Sequence, residues 1–192
     1  MGKTRLEAFS DGVIAIIITI MVLEMKVPHG AEPSDLMPLV PVFLSYVLSF
    51  VYVGIYWGNH HHLFHMVKHV DGRLLWANNH LLFWLSLIPF STGWMGENHF
   101  STWPTVLYAL NLMMAGAAYD LMVRAIRRAN PGEQFAGHAR RTWKRNLSIA
   151  LYLAAMPLAF VHVLLADALF VLVAIFWLIP DRRIEQALGT NG

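Results

Sequence analysis

Long apolar segments alternate with short polar connections along the whole chain. Six such segments can be drawn, at about residues 8–26, 37–60, 73–95, 103–126, 145–164 and 166–181. The last two run together almost without interruption, but their joint length exceeds the roughly 20 residues that cross a bilayer once, so we place a turn near Ala166-Asp167. The pattern predicts an all-α membrane protein, with six transmembrane helices in a single domain that covers residues 1–192.

The basic residues orient these predicted helices. If the N-terminus lies in the cytoplasm, 13 of the 14 Lys and Arg residues fall in cytoplasmic segments, and only Lys26 falls on the opposite side. Such asymmetry is typical of the positive-inside rule, and it favours an even number of spans with both termini cytoplasmic. The cytoplasmic set is Lys3, Arg5, Lys68, Arg73, Arg124, Arg127, Arg128, Arg140, Arg141, Lys144, Arg145, Arg182 and Arg183.

Composition agrees with a membrane protein and narrows the classes of function. Hydrophobic residues make up 57% of the chain and charged residues 14%, whereas soluble domains have roughly 45–50% and about 25%. The net charge of +2 is small, and no nucleic-acid partner is expected. The sequence contains neither a Gly-x-Ser-x-Gly nucleophile motif nor a glycine-rich phosphate loop, so we do not expect an enzyme.

The first apolar segment is preceded by polar groups that are costly at the edge of hydrocarbon. Residues 12–23 are apolar except for Thr19, and the residues just before them include Arg5, Glu7, Ser10 and Asp11. These groups need partners or water. In a helix, Ile16, Ile20 and Leu23 fall at i, i+4 and i+7 and form one aliphatic stripe, with Thr19 beside it and Glu24 continuing outward. Such a stripe in a membrane helix most often faces lipid or a neighbouring helix.

Histidines are concentrated around the second and third segments. His61 and His65 have the i, i+4 spacing of metal ligands, but no second ligand pair completes a site. Haem held by two histidines on facing helices is another interpretation. Hydrogen bonding to Arg5 and Asp11 is the simplest, because it satisfies polar groups inside a membrane. With no cysteine in the chain to supply thiolate ligands, we expect neither a metal site nor a cofactor.

The start of the first segment also resembles a known signature. The string Arg5-x-x-x-Phe9-Ser10-Asp11 followed by AIIITIMVLE is similar to that of the transmembrane protein 175 family, potassium channels of lysosomes and bacteria. YWGNHHHLF, which contains His60 and His61, and Asn79-His80 with FWLSLIPF also resemble that family. The resemblance implies a homotetramer in the lipid bilayer that conducts potassium through a pore formed by four copies of the first helix.

The same resemblance implies roles for individual residues. The Arg and the Ser-Asp of the first helix would bond to polar residues of the next two helices and fix the pore helix in place. Here this structural network comprises Arg5, Phe9, Ser10 and Asp11, with candidate partners His60, His61, Asn78, Asn79 and His80.

The predicted pore has no TVGYG-like loop of carbonyl ligands, so selection needs another mechanism. Ile16, the narrowest point by resemblance, would form stacked aliphatic rings with Ile20 and Leu23 over about 10 Å, with Thr19 beside them. Partial dehydration costs less for potassium than for the more tightly hydrated sodium, so we expect modest selectivity. Glu24 would make the outer mouth negative and raise the local cation concentration.

One alternative stays open on the residues alone. A proton channel or proton-coupled transporter would use Asp11 and the histidine cluster as titrating groups. In either case a multi-pass protein of the cell membrane is expected. We favour a bacterial plasma membrane, since animal members of the family carry two six-span units.

Overall fold

The computed structural model describes residues 2–131 and 142–179. Within these ranges the regular structure is entirely helical. The elements are α1 (Lys3–Leu23), a 3-10 segment (Pro33–Leu39), α2 (Val40–His65), α3 (Gly72–Ser86), α4 (Ile88–Glu97), α5 (Thr102–Ala129), α6 (Thr142–Val161) and α7 (Val163–Leu178). The all-helical prediction is therefore confirmed for the described part of the chain. Arg140, Arg141, Arg182 and Arg183, which supported the topology, and the last two residues of the sixth predicted span lie outside the described residues.

The third predicted span is two helices rather than one. Asp71 caps the N-terminus of α3, and its Oδ1 accepts a hydrogen bond of 2.8 Å from the Leu74 N–H. The helix ends at Ser86, and α4 starts at Ile88 with Pro89 in its first turn. A proline has no N–H to donate and its ring crowds the preceding turn, which explains the break at Leu87.

The turn predicted at Ala166-Asp167 is wrong, because α6 ends at Val161 and α7 begins at Val163. His162 adopts an extended conformation between them, and its Nδ1 accepts a hydrogen bond of 3.3 Å from the Leu164 N–H. The imidazole therefore caps the new helix, a role that the sequence offered equally well to the aspartate. Asp167 lies inside α7.

Among the described residues, three helical segments are long and apolar enough to cross a membrane. They are Lys3–Leu23, Pro33–His65 and Thr102–Ala129, with mean hydropathies of 2.1, 2.0 and 1.5. The helix Val163–Leu178 is apolar but has 16 residues, fewer than the roughly 20 that span hydrocarbon without thinning or help from flanking residues.

Two hydrophobic clusters divide the subunit. One lies among α1, α2, α3, α5 and the start of α4 and includes Leu6, Phe64 and Leu81. The other lies among α2, α5, α6, α7 and the end of α4 and includes Tyr108 and Phe170. Helices α2, α4 and α5 contribute to both clusters, so they form the middle of the subunit. Helix α1 belongs only to the first cluster and therefore lies at one edge, with one face packed and the other uncovered.

Candidate functional site

The two faces of α1 differ completely in their surroundings. Its packed face consists of Leu6, Ser10, Ile14, Ile17 and Met21, all of which are buried against the neighbouring helices. The predicted pore residues Ile16, Ile20 and Leu23 lie on the other face and are 59%, 41% and 74% exposed within the subunit. Because exposed aliphatic groups need lipid or a protein partner, this uncovered stripe is an assembly or membrane-facing surface.

The same open face carries small residues that sequence reasoning missed. Ala8, Gly12, Ala15 and Thr19 recur at i, i+4, i+7 and i+11, and all four are exposed. Nothing lies within 4 Å of the position that a Gly12 Cβ would occupy. Small residues at this spacing allow two membrane helices to approach closely, and the spacing was readable from the sequence.

The open face is also poor in free hydrogen-bond donors. The Thr19 Oγ1 donates to the Ala15 carbonyl oxygen of its own helix at 2.9 Å, so its proton is not available across the surface. Glu24 follows the last turn of α1 and is exposed, with its N–H bonded to the helix through the Ile20 carbonyl at 3.1 Å. One end of the stripe therefore carries a carboxylate.

A buried polar network holds the packed face of α1 to α2 and α3. The Asn78 Nδ2 donates to the Ser10 Oγ at 3.0 Å, and the Asn78 Oδ1 lies 2.9 Å from the His60 Nε2. The Ser10 hydroxyl itself donates to the Leu6 carbonyl at 2.9 Å. All three network side chains are buried, and the His60 ring stacks on Phe64 with centroids 4.2 Å apart. Three of the predicted network residues thus meet in one cluster that links three helices.

Asp11 belongs to a different contact from the one predicted. Its Oδ1 accepts a hydrogen bond of 3.1 Å from the Trp57 Nε1, not from a histidine. Trp57 in turn stacks on His61, whose Nε2 lies 3.0 Å from the Nε2 of His65. The sequence predicted only histidines and asparagines as partners of this carboxylate. The sequence did offer a signal, because the next helix carries an indole N–H that can donate to the Asp11 carboxylate. Whether the two groups meet depends on how α2 is rotated about its axis.

Other predicted members of the network stand apart from it. Arg5 is exposed and makes no hydrogen bond or ion pair with the described residues, and Asn79 likewise has no polar partner there. Phe9 is half exposed on the open face. His80 accepts a hydrogen bond of 3.0 Å from the Trp84 Nε1 within α3. These four residues, which the resemblance placed in one network, therefore do not contact Ser10 or Asp11 through hydrogen bonds within the single subunit.

The geometry leaves the histidine pair without a completed ligand set. Within residues 2–131 and 142–179, no group of three or more His, Asp or Glu side chains is placed to hold a metal ion. His61 and His65 contact each other instead.

Comparisons with known proteins identify a family and relatives that align with the whole chain. Residues 5–89 match the family described as endosomal/lysosomal potassium channel TMEM175. A potassium channel of Chryseobacterium sp. (strain P1-3) is 50% identical over 194 aligned residues, which cover the whole of both chains. The crystal structure of a lysosomal potassium-selective channel TMEM175 homolog from Chamaesiphon minutus is 29% identical, with a TM-score of 0.80 over 99% of this chain and 98% of that one.

Animal relatives match over a shorter part. The human endosomal/lysosomal proton channel TMEM175 is 38% identical over 80 residues, which are 35% of this chain and 16% of that protein. The matched family region contains α1, α2, α3 and the start of α4. It therefore includes both faces of α1 and the Ser10–Asn78–His60 network.

Proposed function

Because the chain belongs to the TMEM175 family of ion channels, we propose that it is a potassium-selective channel of the bacterial cell membrane. The Chryseobacterium relative, which aligns with the whole chain, is named a potassium channel. The solved homolog from Chamaesiphon minutus is described as a potassium-selective channel. The name proton channel belongs to animal proteins that this chain matches over about a third of its length. The proton pathway is therefore the less supported alternative.

The uncovered face of α1 is the observation that carries the proposal. A subunit that encloses no pore of its own leaves one membrane helix packed on one side and bare on the other. Four copies that bring these faces together would surround a central path, and the small residues around Gly12 would allow the helices to approach. The proposed assembly is a homotetramer of six-span subunits with both termini in the cytoplasm.

Selection in this proposal depends on dehydration at aliphatic rings. Ile16, Ile20 and Leu23 from each subunit would stack over about 10 Å, and their side chains offer no oxygen to replace a hydration shell. Because potassium holds its water less tightly than sodium, partial dehydration at these rings would cost it less free energy. A narrower ring would lose its water and close. Glu24 at one end of the stripe would attract cations to the mouth, and no cofactor is required.

The Ser10–Asn78–His60 cluster lies on the packed face of α1, opposite the proposed pore face, and would hold the helix in the orientation that this mechanism needs. A pore wall made of aliphatic groups has few directional contacts of its own. The buried hydrogen bonds on the opposite face of α1 fix the rotation of the helix about its axis. This restraint would decide which residues of α1, Ile16 among them, face the centre of the assembly.

Reconstitution tests the proposal directly. Purified protein in liposomes should take up potassium down a gradient faster than sodium, and light scattering in mild detergent should give the mass of four subunits. Protein-free liposomes and liposomes with an unrelated membrane protein are the controls. A stable monomer or dimer, or flux with a proton gradient alone and none with potassium, would contradict the channel proposed here.

A further inference from the structure

A second candidate site lies away from α1, among α2, α5, α6 and α7. A cavity of about 50 Å³ opens there between aromatic side chains that include Tyr52, Tyr56, Tyr152 and Trp177. Gly116 on α5 leaves part of this space free, because a Cβ added to it would lie 3.7 Å from the Tyr56 hydroxyl. The walls are mostly apolar, and the polar groups among them are mainly side-chain hydroxyl, amide and indole N–H groups.

Most polar tips around the cavity are already bonded. The Trp177 Nε1 donates to the Ser148 Oγ at 2.9 Å, and the Tyr52 hydroxyl donates to the Phe170 carbonyl at 2.7 Å. The Tyr56 hydroxyl makes no hydrogen bond to the described residues. A ligand that brings a hydrogen-bond acceptor next to an apolar group would suit this lining.

Positive charge lies at one end of the cavity. Arg145 lines it and pairs with Asp120 at 2.8 Å, and Arg124 pairs with the same carboxylate at 2.6 Å. One carboxylate cannot neutralise two guanidinium groups. The ammonium of Lys144, the neighbour of Arg145, lies 4.7 Å from the centre of the Phe176 ring and adds to the surplus. We call Arg124, Lys144 and Arg145 the basic rim.

The position along α5 places this rim at a membrane surface. Asp120 follows Thr102, at the start of α5, by 18 residues, or about 27 Å of helix. The hydrocarbon layer is about 30 Å thick, so Asp120 lies near the boundary opposite Thr102. Trp143, which packs on Phe176, and Trp177, which donates to Ser148, lie close to Arg145 along the helices and are of the residue type that favours this boundary.

We propose that the cavity and the basic rim bind an anionic phospholipid of the cytoplasmic leaflet. The phosphate contacts the rim, an ester carbonyl accepts from Tyr56, and part of one acyl chain enters between the aromatic rings while the remainder stays in the bilayer. Anionic headgroups are attracted to clustered Lys and Arg at that surface. The proposal rests on the orientation given under Proposed function, but not on the pore.

The charge part of the proposal is tested on the purified full-length protein. Native mass spectrometry should show phosphatidylglycerol retained in preference to phosphatidylcholine. Arg124→Gln removes one exposed charge and keeps the Arg145–Asp120 pair, and it should weaken phosphatidylglycerol retention about fivefold, the factor equivalent to roughly 1 kcal/mol per basic residue. Arg73→Gln, an exposed basic residue on the same predicted side, is the matched control and should change little.

The cavity part is tested by filling it. Gly116→Leu should lower the retention of both lipids, whereas Gly93→Leu on α4, where nothing lies within 4 Å of an added Cβ, should not. Gly116→Ala, whose methyl group would make only ordinary contacts, serves if the larger variant fails to fold. Thermal stabilisation by phosphatidylglycerol is compared with that by inorganic phosphate alone.

Three results would overturn this inference. They are unchanged phosphatidylglycerol retention in the Gly116 variants, equal losses in Arg124→Gln and Arg73→Gln, and a thermal shift with inorganic phosphate as large as that with the lipid. Ion flux is not measured in any of these experiments. A failed lipid site and a failed channel are therefore distinguishable.

Discussion

The two faces of α1 are built from similar aliphatic residues, but one face is buried within the subunit and the other is exposed. Ile14 and Ile17 are buried in the first hydrophobic cluster, whereas Ile16 and Ile20 are exposed on the same helix. Hydrophobicity therefore does not separate a helix face that packs within the subunit from one that remains uncovered. What separates them is the presence of a buried hydrogen-bonded cluster on one side only.

The difference teaches how an aliphatic surface can be oriented. Apolar contacts are non-directional, so a helix held by isoleucines alone could rotate at small cost. Hydrogen bonds have defined geometry and are expensive to leave unmade in a buried site. We therefore propose that Ser10, Asn78 and His60 fix the rotation of α1 and so position the open face.

Substituting one isoleucine on each face should separate the two surfaces most strongly. Ile14→Asn removes a side chain that is 2% exposed and places an amide in the core, so the lost packing alone should cost about 2–5 kcal/mol. We expect poor expression or a large fall in melting temperature. Ile16→Asn should fold, keep its current and lose part of its potassium preference, because the amide can bond water and ions.

Reversal potentials under opposed potassium and sodium gradients measure that preference, and thermal unfolding in detergent measures stability. If Ile16 instead faced lipid, its variant would be destabilised and any surviving protein would keep its selectivity. An unchanged reversal potential in a well-folded Ile16→Asn channel would remove this residue from the pore.

The sequence predicted the helix and its aliphatic stripe but not what each side chain would meet. Periodicity places Ile16, Ile20 and Leu23 on one face whatever surrounds the helix. Which residue reaches Asp11 depends on the rotation of α2, a tertiary property, and for that reason Trp57 was missed. The family assignment, which rested on the motif at Phe9, is confirmed by the comparisons.

Helix breaks in continuous apolar runs were also beyond the sequence pattern. The interruption at Leu87 follows from Pro89, yet a proline in a membrane helix is compatible with a kink as well as with a break. His162 and Asp167 are both able to cap a helix, and hydropathy could not choose between them. Local polar chemistry limited the options in each case, and packing selected one.

The next largest effect is expected in the hydrogen-bonded cluster. Asn78→Ala leaves the His60 Nε2 without its partner, while Ser10 keeps its bond to the Leu6 carbonyl. One buried group left unpaired costs about 1–3 kcal/mol. Thermal unfolding should show the loss, and Asn79→Ala, which removes a neighbour without a polar partner among the described residues, should show little. Equal shifts in the two variants would mean that the cluster does not hold α1.

Asp11→Ala should have a smaller effect than Asn78→Ala. Among the described residues the carboxylate accepts one hydrogen bond, from Trp57, and the indole is half exposed. We expect a loss of about 1 kcal/mol or less, together with a lower proportion of tetramer on size-exclusion chromatography. Trp57→Phe removes the same donor and should reproduce the effect. A larger loss in Asp11→Ala than in Asn78→Ala would show that Asp11 has partners in the assembled channel.

The smallest effect is expected just beyond the C-terminal end of α1, where Lys26 and Glu97 form an exposed ion pair of 2.9 Å. The hydrogen bond and the charge of Glu97 raise the pKa of Lys26 above its ordinary value of 10.5. Any stabilisation from the raised pKa is complete below that value and is lost only as the pH rises through the folded pKa, so it should be constant between pH 6 and 9. Exposed pairs contribute little. The melting temperature of Lys26→Gln should therefore match that of the unaltered protein across this range, and a clear fall at neutral pH would show that the C-terminal end of α1 is held more firmly than its exposure indicates.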